Sequence, residues 1–229
     1  MPRNNGPYVV SPDEWRRDGV NVRNHLEQAA STDVWNLKKA VAEMRANEWP
    51  HWRQSEWPGF YFEYREFAMG KGEFVRGPRF GNVVFDLQSK LVWDLKVHVD
   101  GKNRVPLNDQ EAVRDCISQT GFIGWMILTG SATYASDEDR QWHTDFKGGL
   151  TSYAQSNRAL GKNKRRIKGT FAPESIVAFG LAGLSNLERA MEEGWIVDFK
   201  QGKNADGLPR RPKFMVKLFE IPTWALLKT

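Results

Sequence analysis

The chain of 229 residues, 40% hydrophobic and 27% charged, can pack one domain, which excludes global disorder. No stretch approaches the roughly 18 apolar residues of a membrane span. The lead 1–7 lacks the apolar segment of a signal peptide, and the single cysteine, Cys116, excludes an internal disulfide and a cysteine-built zinc site, so a reducing cytoplasm is the expected setting.

Ser11 as N-cap, Pro12 at the first helical position and Asp13 and Glu14 in the first turn predict a helix over 12–17. Ser31-Thr32-Asp33 predicts the cap of a second, with Val34, Leu37, Val41 and Met44 at helical spacing and an end near Asn47. Trp49, Trp52 and Trp57 read as residues that pack helices onto the body. An amphipathic helix follows over 59–69, with Phe60, Tyr64 and Phe67 inward. From Phe80 the period shifts to two, and 81–99 reads as a β-hairpin turning at 88–90. Asn108 is expected to cap a helix over 109–119, with Ala112, Val113, Cys116 and Ile117 inward. The apolar run 122–129 suits a strand buried on both faces. Residues 139–160 read as helix broken near Gly148-Gly149, 175–179 as strand, and 184–193 as helix stopped by Gly194. Strands over 195–200 and 213–221 would close a basic hairpin. This order predicts an α/β fold: a mixed central sheet flanked by helices. One domain is expected over 1–229, with a helical N-terminal region over 1–58, a core over 59–180 and a C-terminal helix and hairpin over 181–229.

The chemistry concentrates in Phe85-Asp86 and Trp93-Asp94-Leu95-Lys96. On a strand, residues two apart share a face, so Asp94 and Lys96 project together. The turn at 88–90 brings Asp86 toward Asp94 from the neighbouring strand. Two carboxylates converging beside a lysine are costly unless something binds there. A divalent cation relieves that repulsion, and hard oxygen ligands favour Mg²⁺. Asp-x-Lys recurs at Asp145/Lys147 and Asp198/Lys200. The first falls in an expected helix, where such side chains diverge, and the second lacks an acid-bearing strand before it.

This arrangement resembles the PD-(D/E)xK nuclease superfamily, and within it type II restriction endonucleases. The resemblance covers about residues 60–129, with Phe85 standing where the motif has proline. It implies a restriction-endonuclease-like fold and Mg²⁺-dependent, sequence-specific hydrolysis of double-stranded DNA. Asp86, Asp94 and Lys96 would be catalytic, and Asp86 and Asp94 would ligate the metal. An upstream helix often adds a glutamate, here Glu63 or Glu66, with Glu63 first. A homodimer and a prokaryotic source are also implied. The alternatives are a repair or structure-specific nuclease of the same fold, and a DNA-binding protein without catalysis.

The net charge is +5, and the basic residues cluster. Residues 158–168 hold six basic side chains and no acid, and 200–217 hold six against one acid. Clustered cations gain by releasing counterions from DNA. Lys162, Lys164, Arg165, Arg166 and Lys168 are therefore candidate DNA contacts. Lys203, Asn204, Arg210, Arg211 and Lys213 are candidates in the C-terminal hairpin, whose residue types also read base edges. His98 reads as a strand histidine with a structural partner, and Trp142-His143 as a candidate cleft pair. His25, His51, His98 and His143 show no zinc-ligand spacing. No GxxxxGK[ST] loop and no G-x-S-x-G elbow occurs, so neither a nucleotide cofactor nor a serine-hydrolase elbow is expected.

Overall fold

The computed structural model describes residues 10–30, 33–69, 74–99, 102–150, 155, 159, 166–202 and 207–228. The first helix, α1 (Pro12–Ala30), starts as expected, with Ser11 Oγ accepting the Glu14 amide. It continues far past Arg17 because Trp15, Val22 and Leu26 keep one apolar stripe buried. Gly19 sits inside this helix for a packing reason: a Cβ there would lie 2.8 Å from the Trp93 indole. The second helix does not begin at Ser31-Thr32-Asp33. A short strand β1 (Trp35–Asn36) comes first, and the Asn36 side chain accepts the Lys38 and Lys39 amides to cap α2 (Leu37–Ala46). Val34, expected inward, is 61% exposed; Ser31 and Thr32 lie outside the described residues. Helix α3 (Trp57–Met69) buries Tyr61, Phe62 and Tyr64, while Phe60 and Phe67 are only partly covered.

The hairpin is broken into short pieces. β2 (Arg79–Phe80) and β3 (Val83–Val84) form a separate antiparallel ribbon. β4 (Leu87–Gln88) then pairs with β5 (Val92–Val99), Leu87 opposite Trp93. β6 (Arg104–Asp109) was not expected as a strand; helix α4 (Gln110–Thr120) and strand β7 (Phe122–Tyr134) follow. Ala112, Val113, Cys116 and Ile117 are the buried side of α4, as their spacing predicts. Helix α5 (Asp137–Phe146) ends before Gly148 and Gly149, both at positive φ. The remainder of the expected helix to 160 lies largely outside the described residues. β8 (Lys168–Ala182) is three times longer than expected, because it spans almost the whole length of β7. Helix α6 (Leu184–Glu192), then β9 (Ile196–Phe199) and β10 (Lys213–Lys217), complete the chain, with a 3-10 turn at Leu218–Glu220.

The central sheet is mixed, in the order β1-β8-β7-β5-β4, with β5 and β7 parallel and the other pairs antiparallel. The C-terminal hairpin does not extend it. β10 pairs with β6 and β9 in a second, three-stranded sheet. Alternation along β7 builds two cores. Phe122, Met126 and Leu128 pack under α1, α2 and α3; Ile123, Trp125 and Ile127 pack under α4, α6 and the second sheet. The architecture is thus α/β, a mixed sheet flanked by helices. Among the described residues no helix is long and apolar enough to cross a membrane.

Candidate active site

The register of β5 is locked before any functional group is placed. The Trp93 indole is pressed between Gly19 of α1 and Gly124 of β7, where a Cβ would come within 2.2 Å of the ring. Its Nε1 donates to buried Asp18 Oδ2 at 2.9 Å. The same carboxylate accepts from Ser89 Oγ and from the Lys90 and Leu91 amides. Asp18 therefore ties α1 to the β4–β5 turn, so the next residue, Asp94, emerges at a fixed height on the opposite face.

Asp94 is 1% exposed. Its Oδ1 accepts from Asn108 Nδ2 at 2.8 Å, and Asn108 Oδ1 accepts from Trp125 Nε1 at 3.0 Å. Asn108 was expected to cap α4; instead the cap position falls on Asp109, which makes no side-chain cap bond. Sequence reasoning missed the relay Trp125–Asn108–Asp94. Its signal was a polar residue next to an apolar strand end. Asp94 Oδ2 accepts from Lys96 Nζ, which also donates to the Leu95 carbonyl at 3.2 Å.

Asp86 stands one position beyond the last pair of β4 and β5, beside Asp94. Its Oδ2 accepts the Leu95 amide at 2.8 Å, taking over the ladder bond where β4 ends. Burial raises the Asp86 pKa, and the charges of Asp94 and Glu63 push the same way. Glu63, from α3, is pushed up to about 7 by burial, with the Lys96 charge opposing and the Asp94 charge reinforcing the shift. Burial works against the Lys96 ammonium, yet Asp94, Asp86 and Glu63 outweigh it and its pKa is raised. Glu66, the other candidate, is fully buried with a pKa raised to about 7 by burial and by Glu63. It lies 3.9 Å from His25, and Glu63 rather than Glu66 lines the cleft with Asp86.

Glu63 and Asp86 line an open cleft of about 660 Å³. His51, Phe60, Arg76, Arg79, Asn82 and Val84 line the same cleft, and the Arg76 charge also opposes the upward shift of Glu63. None of these six was singled out from the sequence as a site residue, although Gly81-Asn82 between two β-prone pairs is a two-residue turn signal. Three carboxylates here face one ammonium, and every donor is a hard oxygen, so the set suits Mg²⁺ in charge and chemistry. Among the described residues no three His, Cys, Asp or Glu side chains already stand in ligating geometry. Asp94 is engaged by Lys96 and Asn108.

The other expected residues are dispersed. Arg166 is exposed and lies 3.5 Å over the Tyr134 ring, at the far end of β7. Lys168 pairs with Glu56 at 3.5 Å. Arg211 pairs with Glu111 at 3.2 Å and lies beside Gly81, near the cleft; Arg210 is exposed, and Lys213 opens β10. Lys162, Lys164, Arg165, Lys203 and Asn204 lie outside the described residues. His98 meets the Lys102 carbonyl at 2.7 Å, a structural partner as expected. His143 is fully buried on α5, not in a cleft, because α5 turns it into the body. Asp198 accepts from Gln110 at 2.6 Å in the second sheet, away from Asp86 and Asp94.

Comparison with protein-family models, curated proteins and solved structures finds no match to the chain.

Proposed function

We propose that the chain is a Mg²⁺-dependent endonuclease of double-stranded DNA with a restriction-endonuclease-like core. The observation that carries this reading is the meeting of Asp86, Asp94 and Lys96 where β4 leaves β5, at a cleft that Glu63 also lines. Asp86, Asp94 and Glu63 would hold the metal, which would supply positive charge against a phosphate oxygen. Lys96 places a second positive charge on the same side, to stabilise charge that grows on the phosphate as water attacks. The attacking water would lose its proton to solvent, helped by the positive charge of the bound metal. The phosphorus–oxygen bond then breaks, and the leaving oxygen takes a proton from solvent. The basic C-terminal hairpin would read the sequence, and cutting both strands with one centre per chain calls for a homodimer. The test is plasmid digestion with Mg²⁺ by the wild type and by Asp94→Ala. Discrete fragments from the wild type alone support a sequence-specific enzyme; equal activity of the two proteins ends the reading.

A second reading rests on the Lys96–Asp94 ion pair and the Asn108 bond, which together engage both Asp94 oxygens. In it the chain binds DNA without cutting, and the cluster is structural. DNA binding with no metal-dependent nicking under any divalent cation would favour it.

A further inference from the structure

The β2–β3 ribbon carries two polar side chains that the fold leaves unused. Arg79 and Asn82 are exposed, and neither makes an ion pair or hydrogen bond among the described residues. Both nevertheless line the cleft that contains Asp86 and Glu63. The backbone explains the placement. Arg79 is registered opposite Val84, so their side chains share a face, and Val84 lines the same cleft. Gly81, at φ 56°, makes the tight turn that puts Asn82 at the tip. Arg76, which lines the same cleft, is steadied 5.8 Å from the Trp49 ring centroid.

Carboxylates and guanidinium groups that line one cleft would ordinarily close it by ion pairing. Here Arg79 makes no ion pair with Asp86 or Glu63 among the described residues, so its guanidinium stays available. A phosphodiester strand satisfies both kinds of group. One phosphate would lie at the carboxylates, where a metal would balance the charge, and the next would meet the arginines. A guanidinium suits this role because its fork matches phosphate oxygens in pairs. The volume, about 660 Å³, falls within the roughly 300–1,000 Å³ of pockets that hold small ligands.

We infer that the β2–β3 ribbon is a phosphate seat, in which Arg79, with Asn82 and Arg76, grips the nucleic-acid phosphate next to the one that is cleaved. This rests on the nuclease reading for its choice of ligand, and it makes Arg79 a positioning residue. The ribbon then helps set the path of the strand.

The experiment titrates fluorescein-labelled duplex DNA in Ca²⁺ at several salt concentrations, by anisotropy, with the wild type, Arg79→Ala, Arg79→Lys and Asn82→Ala. Cleavage of the same duplex in Mg²⁺ is followed for the wild type and Asp94→Ala. Arg79→Ala should weaken binding on the order of tenfold and lower the salt slope by about one. Arg79→Lys should keep the slope and recover part of the affinity. Thermal melts should coincide, since Arg79 is exposed and unpartnered. Wild-type affinity and slope in Arg79→Ala overturn the seat; an inactive Asp94→Ala alongside leaves the nuclease reading standing. If Asp94→Ala cleaves normally, the nuclease reading falls, and the Arg79 slope still decides whether the ribbon holds phosphate.

Discussion

The Leu95 amide donates to Asp86 Oδ2 at 2.8 Å, so a carboxylate completes the β5 ladder at the point where the partner strand stops. One side chain therefore has two duties. It satisfies a buried donor, and it faces the cleft as a candidate ligand. The two separate by substitution. Asp86→Asn keeps an acceptor and removes a charge whose burial is unfavourable, so its melting temperature should match or exceed that of the wild type while cleavage is lost. Asp86→Ala leaves the amide unpaired and should cost about 1–3 kcal/mol as well. Equal melting of the two variants would show that the Leu95 bond contributes nothing.

Asn108 holds Asp94 through a buried hydrogen bond. Asn108→Ala removes a donor from Asp94 and an acceptor from Trp125, both buried. Each orphaned group costs about 1–3 kcal/mol, so urea denaturation should show a loss of several kcal/mol. Asn108→Asp adds a carboxylate beside Asp94 and should slow cleavage as well as destabilise. Full activity in that variant would separate Asn108 from the site.

Lys96 is the one ammonium set against Asp94, Asp86 and Glu63 among the described residues of the site. Lys96→Met should lower single-turnover cleavage on the order of 10²-fold while duplex binding in Ca²⁺ changes far less. In EDTA the variant should lose about 2–3 kcal/mol, less than for breaking a fully buried pair because the lysine is a quarter exposed. Added Ca²⁺ should raise its melting temperature more than that of the wild type, since ion binding to the folded state stabilises it. No Ca²⁺ effect on either protein would remove the metal from the site.

Asp94 and Lys96 were legible because period two puts them on one face of a strand, whereas Asp86, expected inside a strand, lies just outside β4 in a bend. The mixed sheet and the buried β7 followed from apolar runs. What could not be read were features that depend on partners far along the chain. Asp18 and Gly19 look like a helix stop, yet Trp93, more than 70 residues on, needs both. Pro106 hides β6, an edge strand of the second sheet, where a missing donor is tolerated. Gly169, Pro173 and Glu174 interrupt the apolar pattern of β8, although pairing with β7 runs on through a register shift near Pro173. Asn108 reads as a cap by local rules, and only its packing against Asp94 and Trp125 overrides them.

His143 gives a prediction that is independent of catalysis. It is fully buried, and neither ring nitrogen has a hydrogen-bond partner among the described residues. Burial pushes its pKa down from 6.5 to about 4, with the Lys147 charge adding to the shift. The folded state thus binds this proton less readily than the unfolded chain. The stability linked to His143 is complete above pH 6.5 and is lost as pH falls toward about 4, by about 3 kcal/mol in all. Glu63 and Glu66, whose pKa values are raised, act with the opposite sign, so the wild type alone does not isolate the histidine. The comparison that does is the urea midpoint at pH 7 and pH 5 for the wild type, His143→Leu and His143→Phe. At least one apolar variant should lose less stability between the two pH values than the wild type, even if its core packs less well. An identical loss in all three proteins would mean that protonation of His143 is not opposed by the fold.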